Sequence, residues 1–184
     1  MTGQIIILHG PSSSGKSTTA KAIQQLVEFP FWHISTDHLR DSGVLPTDRI
    51  KRQEFHWCDL RKPFFNGFHA SLAAYANAGN NLIVEHILDT PEWVHELKNL
   101  LAPFDVFFVG LHCSLDELKI REQARGDRPV GSAEQDYYTV HFGRVYDIEV
   151  NGQASVEENA QAILECWRSG FRQSEFAAKK RVRA

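Results

Sequence analysis

The glycine- and serine-rich run at residues 10–17, Gly-Pro-Ser-Ser-Ser-Gly-Lys-Ser, limits what this chain can fold into more than any other feature of its sequence. It matches the pattern Gly-x-x-x-x-Gly-Lys-Ser/Thr, in which a loop turns its backbone N–H groups around a phosphate. A short apolar run at residues 5–8 precedes it, and a helical pattern begins at Lys16. The sequence therefore predicts a phosphate-binding loop between a buried strand and a helix.

The residue types in this loop follow from the chemistry of phosphate binding. Lys16 is expected to reach the β- and γ-phosphates of a nucleoside triphosphate, and Ser17 offers a hydroxyl to Mg²⁺. The helix that begins at Lys16 presents unpaired N–H groups and the positive end of its dipole to the same anion. The pattern does not determine what becomes of the γ-phosphate. The predicted nucleotide-binding residues are Gly10, Pro11, Ser12, Ser13, Ser14, Gly15, Lys16, Ser17 and Thr18.

Short apolar runs alternate with helical patterns along the chain. Strands separated by helices, without hairpin signals, are typical of right-handed βαβ units and of a parallel sheet with helices on both faces. One domain over residues 1–168 is expected, followed by a basic tail over residues 169–184 that is predicted to be solvated. The predicted strands cover residues 4–9, 31–35, 82–87, 104–111 and 147–150, and the predicted helices cover 16–28, 64–78, 91–101, 114–124, 132–141 and 155–167.

The composition excludes several classes of function. A net charge of −3 gives no overall attraction to nucleic acid or to an anionic membrane. Three scattered cysteines without a Cys-x-x-Cys pair predict neither a disulfide framework nor a structural zinc site. No apolar run approaches the roughly 20 residues that span a bilayer, and the N-terminus does not resemble a signal peptide. We therefore expect a cytoplasmic protein that binds neither nucleic acid nor membrane, and the sequence leaves a homo-oligomer open.

Asp37 follows closely on the predicted strand at residues 31–35. Ligands of an open parallel sheet gather at the carboxyl ends of its strands, so Asp37 is expected to share a site with Lys16. A carboxylate in that place can accept the proton of a hydroxyl that attacks the γ-phosphate. The alternative is that Asp37 is the N-cap of a turn that begins at His38, and position alone supports both roles equally.

Glu85 ends the apolar run that starts at Leu82. An acidic residue in this position is where such proteins carry a carboxylate that faces magnesium, although that residue is usually aspartate. Glutamate is longer by one methylene, which favours contact with the ion through water or contact with the substrate. The alternative is a carboxylate with a purely structural partner. Ser17 and Glu85 are the predicted metal-binding residues.

A lid is predicted at about residues 121–132, where Arg121, Arg125 and Arg128 lie close to Gly126. Guanidinium groups can neutralise the charge on a phosphoryl group in the transition state. Gly126 would serve as the hinge of a segment that closes and expels water. The alternative is a solvated helix end, whose cations complement the helix dipole.

The acceptor side is predicted at about residues 38–75, because this region follows Asp37 in the chain. Within it, residues 47–62 combine five cations with Phe55, His56 and Trp57. The aromatic side chains would pack on a planar or apolar substrate, and the cations would suit an acidic or phosphorylated one. The alternative is a solvated helix whose aromatic face packs on the body of the protein.

Several further segments make the chain similar to the chloramphenicol phosphotransferase-like proteins from about residue 5 to residue 163. They are Phe-Phe-Val-Gly-Leu-His-Cys at 107–113, Ala-Arg-Gly-Asp-Arg at 124–128, Val-His at 140–141 and Val-Tyr-Asp-Ile-Glu-Val at 145–150. The resemblance implies an α/β three-layer P-loop kinase fold with a five-stranded parallel sheet and a small lid. It also implies that Asp37 is a general base and that Arg125 and Arg128 serve the phosphates. The differences from the family, at His9, at Glu85-His86 and over residues 40–62, fall on the acceptor side.

The residues and the resemblance together predict a kinase that uses ATP and Mg²⁺ to phosphorylate a hydroxyl of a small molecule. The predicted catalytic residues are Asp37, Lys16, Arg125 and Arg128. One alternative is a kinase for a nucleoside, a nucleotide or a sugar, which the cations of residues 49–62 would favour. A second alternative is an NTPase switch that has no small-molecule acceptor.

Overall fold

A parallel sheet of five strands forms the centre of the molecule. The computed structural model describes residues 2–125 and 131–177. The strands are β1 (Ile5–His9), β2 (Phe31–Ser35), β3 (Asn81–His86), β4 (Val106–His112) and β5 (Ile148–Asn151). Their order is β2-β3-β1-β4-β5, and every pairing is parallel. The predicted α/β fold with a five-stranded parallel sheet is confirmed.

Helices cover both faces of the sheet. Within the described residues, none of them combines the length and the apolar character that a bilayer span requires. The cores on the two faces show that α4 and α5 pack on one side and that α1 and α8 pack on the other. The helices are α1 (Lys16–Leu26), α2 (Thr36–Asp41), α3 (Thr47–Lys51), α4 (Trp57–Asn77), α5 (Pro91–Leu101), α6 (Leu115–Arg125), α7 (Ser132–Thr139) and α8 (Val156–Arg168).

The central strand β1 is buried along its whole length, which explains its continuous apolar sequence. Its side chains alternate between the two cores, so that Ile7 packs on the side of Leu97 and Leu8 packs on the side of Ile163. Burial of each such side chain contributes about 1.5–3 kcal/mol. The strand is therefore a rigid support for the loop that follows it.

Helices α2 and α3 were not predicted from the sequence, and α4 begins at Trp57 rather than at residue 64. None of the residues of α2 and α3 is buried, so neither helix shows the apolar period on which such a prediction depends. Pro63 lies inside α4, although proline more often marks the first turn of a helix.

The chain after α8 returns to the body of the protein. The carboxylate of Asp147 accepts hydrogen bonds from the N–H groups of Gln173 at 2.6 Å and Ser174 at 2.9 Å. Phe176 is 8% exposed and lies against Phe108, with 4.9 Å between the ring centroids. The expectation of a solvated tail is therefore wrong at residues 174–176. The basic residues at 179–183 lie outside the described residues.

Candidate active site

A cleft of about 510 Å³ lies at the carboxyl ends of the strands. This is the edge at which open parallel sheets bind their ligands. The lining combines the predicted phosphate loop with the ends of β2 and β3, part of α6 and the turn after β5. It consists of residues 12–19, 35–37, 85–87, 121, 124, 125, 152, 154, 156 and 159.

The loop between β1 and α1 has the geometry of a phosphate cradle. Ser13 and Gly15 have positive φ angles of 65° and 101°, which turn the backbone so that α1 can begin at Lys16. The side-chain oxygens of Ser12, Ser13 and Ser14 are buried and have no hydrogen-bond partner in the described part of the chain. A buried hydroxyl without a partner is costly, so a ligand with several acceptor oxygens fits this loop.

The turn after β5 packs closely against the phosphate loop. A Cβ atom on Gly152 would lie 2.3 Å from the carbonyl oxygen of Ser14, so only glycine permits this approach. Arg121 of α6 donates to the carbonyl oxygen of Gly152 at 3.0 Å and lies 3.5 Å from that of Ser13. Arg121 therefore joins α6, the turn and the loop on one side of the cleft.

Lys16 lies inside the curve of the loop and is 8% exposed. Its Nζ atom donates to the carbonyl oxygens of Gly10 at 2.8 Å and Pro11 at 2.7 Å. Phosphate oxygens would compete with these carbonyl groups for the same ammonium group. The role at the β- and γ-phosphates that the sequence predicted for Lys16 stays a prediction.

Glu85 connects the phosphate loop to β2. One of its carboxylate oxygens accepts a hydrogen bond from Ser17 Oγ at 2.8 Å, and the other accepts one from His33 Nε2. Burial by itself would raise the pKa of Glu85. The hydrogen bonds from His33 and Ser17 and the charge of Lys16 outweigh burial and hold this pKa below its ordinary value. The structure thus brings together the two predicted metal-binding residues and adds His33, which the sequence did not connect with the site.

The pair of Ser17 and Glu85 fits a magnesium ion. Hydroxyl and carboxylate oxygens are the hard ligands that Mg²⁺ prefers. Because Ser17 donates its proton to Glu85, the lone pairs of the serine oxygen are available to a cation. The carboxylate can also accept hydrogen bonds from water bound to such an ion.

His86 follows Glu85, and both of its ring nitrogens are engaged by protein groups. Leu88 donates its backbone N–H to His86 Nδ1 at 2.9 Å, and His86 Nε2 lies 2.8 Å from His69 Nε2. Burial, followed by the charges of neighbouring groups, lowers the pKa of His86 well below its ordinary value. A neutral imidazole held in this way fixes the turn after β3, where Leu88 has a positive φ of 49°.

Asp37 lies in the first turn of α2 and lines the same cleft as Lys16 and Glu85. Its side chain is 36% exposed and lies 3.3 Å from the guanidinium group of Arg40. The N-cap of α2 is Ser35, whose hydroxyl accepts a hydrogen bond from the backbone N–H of His38 at 3.1 Å. The alternative that Asp37 caps this helix is therefore wrong.

Glu122 of α6 joins this helix to the start of α7. This side chain accepts hydrogen bonds from Gly131 N at 2.9 Å, Ala133 N at 2.8 Å and Ser132 Oγ at 2.8 Å. The hydrogen bonds, those from Gly131 and Ala133 above all, hold the pKa of Glu122 below its ordinary value. Glu122 therefore closes the base of the predicted lid.

The predicted lid arginines are described only in part. Arg125 ends α6 and lines the cleft on the side of Arg121. Arg128 and the predicted hinge Gly126 lie outside the described residues, so the roles expected of them stay predictions.

Helix α7 is docked directly on the phosphate loop, a contact that the sequence did not predict. The backbone N–H of Ser12 donates to a carboxylate oxygen of Asp136 at 2.9 Å. At the end of α7, the carbonyl oxygen of Val140 lies 2.8 Å from His9 Nε2, and that of His86 lies 3.1 Å from His9 Nδ1. Burial lowers the pKa of His9 to about 4, against the opposing effect of these two carbonyl groups.

The arginines of the predicted acceptor side are held by carboxylates. Arg49 and Arg52 each form an ion pair with Glu54, at 2.7 Å and 2.8 Å. Arg61 contacts both carboxylate oxygens of Asp89, at 2.8 Å and 3.0 Å. Of the described residues that line the cleft, none belongs to residues 38–75, so the acceptor role of that region stays a prediction.

Several solved structures that superpose on this fold are kinases. APS kinase from Mycobacterium tuberculosis, in complex with AMPPNP and APS, superposes with a TM-score of 0.67 at 17% identity, covering 91% of this chain and 98% of that one. A gluconokinase from Sinorhizobium meliloti gives 0.63 at 22% identity, covering 92% and 94%. Shikimate kinase from Aquifex aeolicus gives 0.59 at 18% identity, covering 91% and 98%. At these identities the likeness establishes the fold, and it agrees with the predicted P-loop kinase architecture.

Comparison with related sequences identifies the family within this fold. Two proteins named "Putative O-phosphotransferase" in Mycobacterium tuberculosis, from strains CDC 1551 and H37Rv, are each 27% identical over 187 residues, covering 91% of this chain and 83% of the relative. The sequence model of the family described as "Chloramphenicol phosphotransferase-like protein" matches residues 3–168. Because that match spans the whole sheet and its helices, this chain belongs to the chloramphenicol phosphotransferase-like family and is a P-loop kinase.

Proposed function

We propose that this protein transfers the γ-phosphoryl group of ATP to a hydroxyl group of a small molecule. The observation that carries the proposal is the cleft that Asp37 and Lys16 share. A carboxylate on the acceptor side and an ammonium group in the phosphate loop are the two groups that such a transfer requires.

ATP as the donor is supported by residues that line the cleft outside the phosphate loop. They include Arg121, the small residues Gly152 and Ala154, and Val156. A planar cation and a small apolar wall suit a purine base, since stacking and cation–π contacts both favour such a ring.

Four residues of the cleft have distinct tasks in the proposed reaction. Lys16 binds the phosphates, and Arg125 adds positive charge from α6. The acceptor oxygen attacks the γ-phosphorus, its proton passes to the Asp37 carboxylate, and ADP leaves. A magnesium ion bound beside Ser17 would neutralise charge on the phosphates. Positioning and charge stabilisation supply most of the acceleration, because little covalent work falls to the protein.

An uncharged acceptor is favoured over a phosphorylated one. A nucleotide or sugar phosphate is usually recognised by arginine side chains that bond its phosphate in pairs. Here Arg49 and Arg52 share the carboxylate of Glu54, and Arg61 pairs with Asp89. Three of the five cations that made an acidic acceptor attractive in the sequence thus belong to local ion pairs.

The proposal is tested with labelled ATP and a panel of hydroxyl compounds that includes chloramphenicol, neutral sugars, nucleosides and sugar phosphates. We expect label to move from ATP to a neutral member of the panel, with ADP released in equal amount. Transfer only to phosphorylated compounds would contradict the preference for an uncharged acceptor. ATP hydrolysis that no alcohol changes would contradict the phosphotransferase and support an NTPase switch.

A further inference from the structure

The carboxylate of Glu85 is held at both of its oxygen atoms. Oε2 accepts the proton of Ser17, whereas Oε1 accepts a hydrogen bond from His33 Nε2. The side chains of Glu85 and His33 are only 8% and 7% exposed. An ionised carboxylate has no proton to donate, so the Nε2 atom of His33 must carry the hydrogen.

The order of the strands places His33 beside Glu85. Strands β2 and β3 run parallel with Ser35 opposite Glu85, so His33 lies two residues earlier on β2. Alternate residues of a strand share a face, which puts His33 on the face of Ser35 and Glu85. The ring of His38 lies edge-on to that of His33, with 4.6 Å between the centroids, and supports its orientation.

We propose that His33 is a positioning residue for the magnesium site. By holding Glu85 in place, His33 keeps the lone pairs of the Ser17 hydroxyl turned toward the ion. Glutamate has one more rotatable bond than the usual aspartate, so a partner at Oε1 limits the positions that Oε2 can take. Groups that hold a metal-facing side chain in this way typically change metal affinity by about 10–100-fold when they are replaced. The inference rests on the Mg²⁺ and nucleotide site of the proposed function and is independent of the acceptor.

A merely structural role for His33 would predict something different. If the pair with Glu85 only stabilised the edge of the sheet, its loss would weaken the fold and would affect nucleotide binding equally with and without magnesium. A positioning role affects only the part of the affinity that magnesium adds. The ratio of the two affinities therefore separates the two roles.

The experiment measures the Kd of ADP by titration calorimetry with excess MgCl₂ and again with EDTA, for the full chain and its variants. In His33→Phe the ring volume remains and the N–H donor is lost. We expect this variant to lower the magnesium-dependent gain in ADP affinity by about 10–100-fold and to change the EDTA value by less than about twofold. His33→Gln keeps an N–H donor and should recover part of the gain. His95→Gln, on the exposed side of α5, is the matched control and should behave as the unchanged protein.

A double-mutant cycle with Glu85→Gln identifies the route of the effect. If His33 acts through Glu85, His33→Phe causes no further loss of the magnesium-dependent gain in the Glu85→Gln background. An equal loss in both backgrounds, or a loss of the same size in EDTA, would overturn the inference while leaving the nucleotide site in place. Failure of the unchanged protein to bind ADP under either condition would overturn the proposed function together with the inference.

Discussion

Replacement of Asp37 by asparagine is expected to lower kcat for phosphoryl transfer by about 10²–10⁴-fold, the range for loss of a positioned base. This corresponds to about 2.7–5.5 kcal/mol of lost transition-state stabilisation. The fold should hardly change, because Ser35 rather than Asp37 caps α2. Asp37 also loses an ion pair with Arg40 at 3.3 Å, in which both side chains are more than a third exposed, and such a pair contributes about 0.2–0.5 kcal/mol.

The assay follows transfer from ATP to whichever compound of the panel accepts phosphate, together with ADP affinity and urea unfolding. Asp41→Asn is the matched control, since Asp41 lies on the same helix, also pairs with Arg40 and is more exposed. We expect this control to keep its kcat. The reasoning is refuted if Asp37→Asn retains more than about a tenth of the turnover, or if it loses nucleotide affinity in proportion to its rate.

Three further predictions concern the loop, the chain end and pH. Gly152→Ala should weaken ADP binding by about tenfold or more, because its Cβ would lie 2.3 Å from Ser14 O, where ordinary contact begins at 3.4 Å. Gly67→Ala is the control and should have no such effect in the same titration, since a Cβ there would meet no atom within 4 Å. Asp147→Ala should lower the free energy of unfolding by about 3–6 kcal/mol in urea, since three backbone N–H groups lose a carboxylate partner. Burial lowers the pKa of His69 to about 4 and that of His141 to about 3, so below pH 6.5 the unfolded chain binds more protons than the folded one. The free energy of unfolding should therefore fall as the pH drops from 6.5 toward 4. A free energy of unfolding that stays constant over this range would contradict the assignment of these buried rings as neutral.

The sequence was most informative where structure depends on neighbours in the chain. The phosphate loop, the strands and the long helices were predictable because glycine spacing and apolar periods are local signals. Helices α2 and α3 gave no such signal, since all of their residues face solvent at least in part. The five cations of residues 47–62 likewise suggested an anionic acceptor, whereas in the structure the three arginines among them form ion pairs with Glu54 or Asp89.

The contacts that shape the site were hidden because they join distant segments. His33 reaches Glu85 across 52 residues, and the Ser12 amide reaches Asp136 across 124. The first contact depends on the order of the strands and the second on the packing of α7, and no local sequence pattern predicts either. Ser17 in the phosphate loop and the strand-end carboxylate of Glu85 predicted a metal site, whereas the contact between His33 and Glu85 was visible only in the fold.

The docking of α7 has a thermodynamic consequence for nucleotide binding. Asp136 accepts a hydrogen bond from the Ser12 amide, and His9 Nε2 lies 2.8 Å from the carbonyl oxygen of Val140. The helix that follows the predicted lid therefore contacts both the phosphate loop and the strand before it. If the nucleotide binds more tightly to one arrangement of α7, then stabilising that arrangement raises nucleotide affinity by the same coupling free energy. A change on the outer surface of this helix can therefore alter the affinity of the enzyme for its donor.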